Sequence, residues 1–208
     1  VVPQALSGST DSSSTRMTPR ASLILVVQTV LLAVEIFTSY DTAVRQTALV
    51  VTNLASTAGL LWLDRSLQRR GGRLSLATII YVLGAVWLDA LGNFQHLYAG
   101  YWWWDRVTHA AGGLAVTALF IDLAWSRRHA LRLAIPVGAT VWFGFLLGQF
   151  VAAMYEVSEW LGDWWFATER VRGPYDSPRD LFFNAVGGLV VVMIFWVLNK
   201  RKPNLPSS

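Results

Sequence analysis

Six stretches of mostly apolar residues run through this chain, at about residues 22–40, 46–63, 74–98, 106–125, 133–160 and 179–198. Each is close to the roughly 20 residues that a helix needs to cross a bilayer. Lipid offers no water to an unsatisfied N–H or C=O, so such segments must satisfy their backbone internally, as helices do. The pattern therefore predicts an all-α, polytopic membrane protein of six transmembrane helices over residues 21–200. Charged residues make up 14% of the chain, against about 25% in an average soluble domain, and they gather between the apolar runs. Residues 1–20 are polar and Ser/Thr-rich and read as a disordered tail, with Met17 a candidate for the biological start. Residues 201–208 read as a short cytoplasmic tail.

The sequence pI of 9.8 would suit a nucleic-acid partner, but the Lys and Arg residues lie in short loops, where they set topology. We expect no nucleic-acid partner. With six spans, both termini share a side with loops 64–73 and 126–132. That side holds Arg16, Arg20, Arg65, Arg69, Arg70, Arg73, Arg127, Arg128, Arg132, Lys200, Arg201 and Lys202. The other side holds Arg45, Arg106, Arg170, Arg172 and Arg179. This bias places both termini in the cytoplasm, in the inner (plasma) membrane of a cell. Trp102, Trp103, Trp104, Trp160, Trp164 and Trp165 then mark the outer interface, and Trp62, Trp125 and Trp196 the inner one. With no Cys in the chain, disulfides, thiolate ligands and thiol nucleophiles are excluded.

Two stretches share one plan: DRVTHAAGG, from Asp105 to Gly113, and DLFFNAVGG, from Asp180 to Gly188. Each runs acid, three residues, His or Asn, Ala, one residue, Gly-Gly. Leu114 matches Leu189, and Val116 matches Val191. On a helix the i, i+4 spacing stacks Asp105 on His109 and Asp180 on Asn184. The glycine pairs follow about one turn later, where they let another backbone approach closely. Since each stretch opens the returning arm of a hairpin, helices 3–4 and 5–6 read as a parallel repeat about an axis along the membrane normal.

The intramembrane polar residues all fall in the outer half: Asp89, Asn93 and His96 on the third span, Asp105 and His109 on the fourth, Glu156 and Glu159 on the fifth, and Asp176, Asp180 and Asn184 on the sixth. At 1.5 Å per residue, His109 and Asn184 lie roughly 6 Å below their helix starts, and Asp89 roughly 13 Å below Tyr98. A charge at the bilayer centre costs about 2.5–3.5 kcal/mol on insertion scales, so these faces should turn inward and meet. The expected site is Asp105, His109, Glu156, Glu159, Asp180 and Asn184, in one pocket beneath Trp102–Trp104. Simpler roles compete: Asp105 as an N-cap, Asp180 in a capping box with Ser177, and the Glu156–Glu159 pair held at the surface by Arg170, Arg172 or Arg106. His96 reads as interfacial, His129 as solvated, Glu35 as paired with a neighbouring helix, and Asp122 as paired with loop arginines.

DRxxH at Asp105–His109, YExxEW at Tyr155–Trp160 and DxxxDxxxN at Asp176–Asn184 resemble the YjdF-type inner-membrane proteins. These are more distantly related to the VanZ-like proteins associated with teicoplanin resistance. The resemblance covers about residues 89–188. VanZ-like proteins tend to carry Gln where Glu159 stands, which favours the YjdF-type branch. That branch often carries His where this chain has Asp89, so no role is carried to that position. The resemblance implies a bacterial or archaeal multi-pass membrane protein and no settled activity.

Three functions fit these residues. The first is a metal-assisted hydrolase or transferase on a lipid or lipid-linked envelope precursor, with membrane lipids as its surroundings. Asp105, His109, Glu156 and Asp180 would hold one divalent cation (Zn, Mg or Mn), a spare carboxylate would act as general base, and Asn184 would orient the substrate. The second is a proton- or cation-coupled carrier or an amphiphile-binding protein. The third is a structural membrane subunit whose polar groups only hold the bundle together.

Overall fold

The computed structural model describes residues 17–38 and 43–200. The expected tails over 1–16 and 201–208 lie outside the described residues. Seven helices and no strand are found among those described: α1 Pro19–Phe37, α2 Ala43–Gln68, α3 Leu76–Phe94, α4 Leu97–Gly100, α5 Trp104–Ala130, α6 Val137–Phe166 and α7 Asp176–Lys200. All but α4 are long and apolar enough to cross a membrane. Only 17–33% of each apolar window is buried inside the protein, which leaves the rest to lipid.

Local chemistry explains the boundaries. Pro19 opens α1 behind Thr18, whose hydroxyl accepts from the Ala21 amide, so the helix starts two residues inside the stretch read as a tail. Ser75 caps α3 by accepting from the Thr78 amide at 3.1 Å. α6 begins after Pro136 rather than at 133, because proline disfavours helical geometry in the residue before it. It runs on to Phe166, six residues past the expected end, and stops where Ala167 takes a left-handed conformation.

The third span departs most from expectation. A continuous helix over 74–98 would hold Tyr98 about 13 Å from Asp89. Instead α3 ends at Phe94 and His96 adopts φ 54°. The chain folds back, and the Tyr98 hydroxyl donates to Asp89 Oδ1 at 2.8 Å.

α5 is the centre of the bundle and packs on α7, α6 and α3. The α1–α2 hairpin lies to one side, resting on α3. Its core with α3 comprises Ile24, Leu60, Leu67, Leu74, Ile79 and Leu83. At the end of the bundle away from Asp105, Ala118, Ile121, Val141, Val191 and Val192 fill the space between α5, α6 and α7.

Three rows of residues four apart bring α5, α6 and α7 together. On α5 the row is Asp105, His109, Gly113, Thr117, Ile121; on α6 it is Gly144, Gly148, Ala152, Glu156; on α7 it is Asp180, Asn184, Gly188. Such rows form the ridges that interlock when helices pack. A Cβ on Gly113 would run into the Asn184 carbonyl, and one on Gly187 into the Ala110 carbonyl. The close-packing surfaces of the two similar stretches thus meet each other. A Cβ on Gly148 would lie 2.6 Å from Thr117 Oγ1 and 3.0 Å from its Cα, so α6 also packs closely on α5, with a slightly looser backbone approach. Each row carries small residues along its length and a polar residue at the same end.

Candidate functional site

The polar ends of the three rows converge on His109. Its Nε2 lies 3.6 Å from Asp105 Oδ1 and 3.6 Å from Asp180 Oδ2. Its Nδ1 lies 3.5 Å from Glu156 Oε1 and 3.3 Å from Asn184 Nδ2. The side chains of Glu156 and Asp180 are each 5% exposed and that of His109 11%, whereas that of Asp105 is 28% exposed at the rim. Neither oxygen of Glu156 accepts a hydrogen bond of ordinary geometry among the described residues. A buried carboxylate left so is costly.

Of the six expected site residues, five lie at the ring or touch it. Glu159 stands one turn away, and Arg170 Nη1 reaches its Oε1 at 3.3 Å. Glu159 thus takes the arginine while Glu156 faces the histidine, and one oxygen of each acid still lies within 4.8 Å of a His109 ring nitrogen. The competing capping roles also resolve. Trp103, not Asp105, is the N-cap of α5, and α7 already begins at Asp176, which puts Ser177 inside the helix and not at a capping position over Asp180. Asn184 sits against the ring of His109.

A pocket of about 340 Å³ opens over this cluster. Asp89 lines it from α3 and holds the Asn93 amide at 3.1 Å besides the Tyr98 hydroxyl. Burial, and next the Asp89 carboxylate beside it, push the Tyr98 hydroxyl above its ordinary range, so it stays a donor. The loop after α6 forms the opposite rim. Asp163 accepts from the Thr168 hydroxyl at 2.5 Å and from the amides of Arg170 and Val171 at 2.7 Å each. Those three bonds fold the loop back over the helix end and bring Arg170 and Arg172 to the pocket. Burial opposes the Arg170 charge, but Tyr155, Glu159 and Asp89 more than offset it and hold its pKa above the usual value.

Several expectations need correction. Trp104 is buried, 9% exposed, because Gly92 leaves room for its indole; it does not belong to an interfacial belt. Trp102, Trp160, Trp164 and Trp165 remain well exposed, and Trp102 stacks under Arg106. Asp122 accepts from the Ser75 amide at 2.7 Å in place of a loop arginine: the start of α3 comes within reach and needs acceptors for its free amides. Asp64 accepts the neighbouring Leu74 amide in the same way. Glu35 pairs as expected, accepting from Asn53 on α2 at 3.1 Å. His129 is exposed in the last turn of α5, packed on Trp125.

Sequence reasoning missed Tyr98, Arg170 as a fixed element, Asp163 and the row on α6. Only the last had a signal. Gly144, Gly148 and Ala152 form a small-residue pattern in an apolar helix, and Glu156 is its next member.

The fold and site define a six-span helical membrane protein with a buried acid–histidine cluster at one end of its central helices. The chain belongs to the family of predicted membrane proteins designated DUF2238, whose model matches residues 21–201. It is 24% identical over 115 residues to an uncharacterized protein of Thermotoga maritima. That match covers 52% of this chain and 55% of the other, so the chain spans about half the length of that curated relative. No solved structure matches the chain.

Proposed function

We propose that this protein is a membrane-embedded, metal-assisted hydrolase or transferase acting on a lipid or lipid-linked envelope substrate, and that Asp105, His109 and Asp180 hold its divalent cation (Zn, Mg or Mn). The carrying observation is the pair of 3.6 Å separations from His109 Nε2 to two different carboxylates. Both exceed ordinary hydrogen-bond length. They match two ligands of one ion, which lie about 3.4 Å apart when each is about 2.1 Å from a tetrahedral centre. One oxygen of each acid and the ring nitrogen also fall within 4.8 Å of one another.

Glu156 faces the other ring nitrogen. With Nε2 on an ion, Nδ1 carries the proton and directs it to Glu156, the partner that orients a ligating histidine. Asn184 then turns its amide so that oxygen faces the ring, which leaves its heavy-atom positions unchanged. When bound, the cation lowers the pKa of a water to give a nucleophile near neutral pH. Glu159, on the pocket wall and paired with Arg170, would serve as the general base that takes that proton. Against a carrier stands the apolar cluster of Ala118, Ile121, Val141, Val191 and Val192, which fills the route to the opposite end.

The Lys/Arg bias supports cytoplasmic termini and puts the site on the outer side of an inner membrane. Elemental analysis of purified protein, together with a screen of phospholipids and lipid-linked substrates, tests the proposal. About one ion per chain and turnover that a chelator abolishes are expected; metal-free protein with undiminished turnover would overturn it.

A further inference from the structure

We propose that the substrate is an amphiphile with a phosphate-bearing headgroup, read by Arg170 and Arg172, whose chain lies in the cleft between α2 and α6. This rests on the cation-site reading, because Asp89, Asp105, Glu159, Glu169, Asp176 and Asp180 also line the pocket and would repel a phosphate without a cation to offset them.

Two independent features carry it. The first is the rim. Asp163 fixes the loop by three hydrogen bonds, so the two guanidiniums are held over the pocket. Arg170 spends one nitrogen on Glu159, and Arg172 Nη1 donates to the Tyr98 carbonyl at 3.2 Å. A guanidinium has five N–H donors in a fork suited to phosphate oxygens, so each retains donors for a ligand. Two pre-positioned arginines facing a cation site form the usual clamp on a phosphoryl group.

The second feature is the floor. Below the polar cluster the pocket continues between Leu49 of α2, Val86 of α3, Val116 of α5 and Val151 of α6. Val116 is seven residues past His109, roughly 10 Å deeper along the helix. α2 packs on α1 and α3 but has no extensive packing on α5 or α6, although all three line the pocket. Val151 is 38% exposed. The cleft thus opens sideways at the depth of lipid chains, and an apolar chain can enter from the bilayer while its headgroup stays at the arginines. A water-soluble phosphate would leave this floor empty.

Equilibrium binding to purified full-length protein with Mn²⁺ tests the idea, using phosphatidic acid, diacylglycerol with the same chains, and inorganic phosphate as probes. Phosphatidic acid should bind at least about tenfold tighter than either of the others, given the strength of charge-assisted bonds. Arg170→Gln and Arg172→Gln should each cut its preference over diacylglycerol about tenfold while leaving diacylglycerol binding unchanged. Arg172 is exposed, so its variant tests the idea even if Arg170→Gln fails to fold. Val151→Trp should weaken both lipids and spare phosphate. Equal binding of diacylglycerol and phosphatidic acid would overturn the phosphate reading. Inorganic phosphate binding as tightly as the lipid would overturn the chain in the cleft. Metal content of the same samples separates the two proposals: ion-free protein sinks the cation site, and ion-loaded protein without phosphate preference sinks only this inference.

Discussion

Gly187→Ala should separate α5 from α7 and loosen the site. The new Cβ would lie 2.8 Å from the Ala110 carbonyl carbon and 2.9 Å from the Leu114 nitrogen, with the Ala110 carbonyl oxygen closer still. Ordinary contact begins at 3.4 Å, so clearing the carbonyl carbon alone (3.4 − 2.8) requires about 0.6 Å and clearing the carbonyl oxygen requires more, and backbone atoms cannot swing aside as side chains can. Overpacking of this kind costs about 1–3 kcal/mol. At roughly 2–4 °C per kcal/mol for a chain of this size, Tm should fall by about 2–12 °C. The same movement stretches the 3.6 Å and 3.3 Å approaches from His109 to Asp180 and Asn184, so cation affinity should fall as well. Gly84→Ala is the control, since nothing lies within 4 Å of a Cβ there. Thermal unfolding followed by tryptophan fluorescence reads both variants. If Gly187→Ala unfolds at the same temperature as Gly84→Ala, the close approach of these helices is not a source of stability and the reasoning fails.

Cysteine labelling tests topology without background, because the chain lacks Cys: a Cys replacing Ser126 should react only from the cytoplasm and one replacing Ala167 only from outside, and the reverse pattern would invert the site's placement. His109→Ala should abolish both ion binding and turnover while leaving a folded bundle by size-exclusion chromatography, whereas His129→Ala, at an exposed helix end, should alter neither. Glu156→Gln keeps the shape of the side chain and removes its charge; it should weaken cation affinity by about 10–100-fold, measured by competition with a metal-sensitive dye. An unchanged affinity would remove Glu156 from any role at the ring.

The spans were legible because hydropathy acts over about 20 residues and averages out local detail. The cluster was legible because DRVTHAAGG and DLFFNAVGG place an acid and a second polar group four residues apart, a spacing that helix geometry alone converts into a shared face. What stayed hidden depends on tertiary contact. Trp104 looks like its exposed neighbours until Gly92, on another helix, makes room for it. Asp122 looks like a partner for loop arginines until the first amides of α3 arrive beside it. The fold-back of Tyr98 onto Asp89 needs a left-handed His96, a conformation that His adopts more readily than most non-glycine residues but still in a minority of cases, so nothing in the sequence marks it. Arg170 follows the same rule, since only the bonds to Asp163, seven residues earlier, bring it over the pocket.

The proposed function requires one ion held between His109 Nε2, Asp105 and Asp180. Anomalous diffraction from crystals grown with Mn²⁺ addresses it most directly. A single strong peak bounded by His109 Nε2, Asp105 Oδ1 and Asp180 Oδ2, absent in an Asp180→Asn crystal, is the predicted result. A map with no peak at His109, or with manganese bound only elsewhere on the protein, would contradict it.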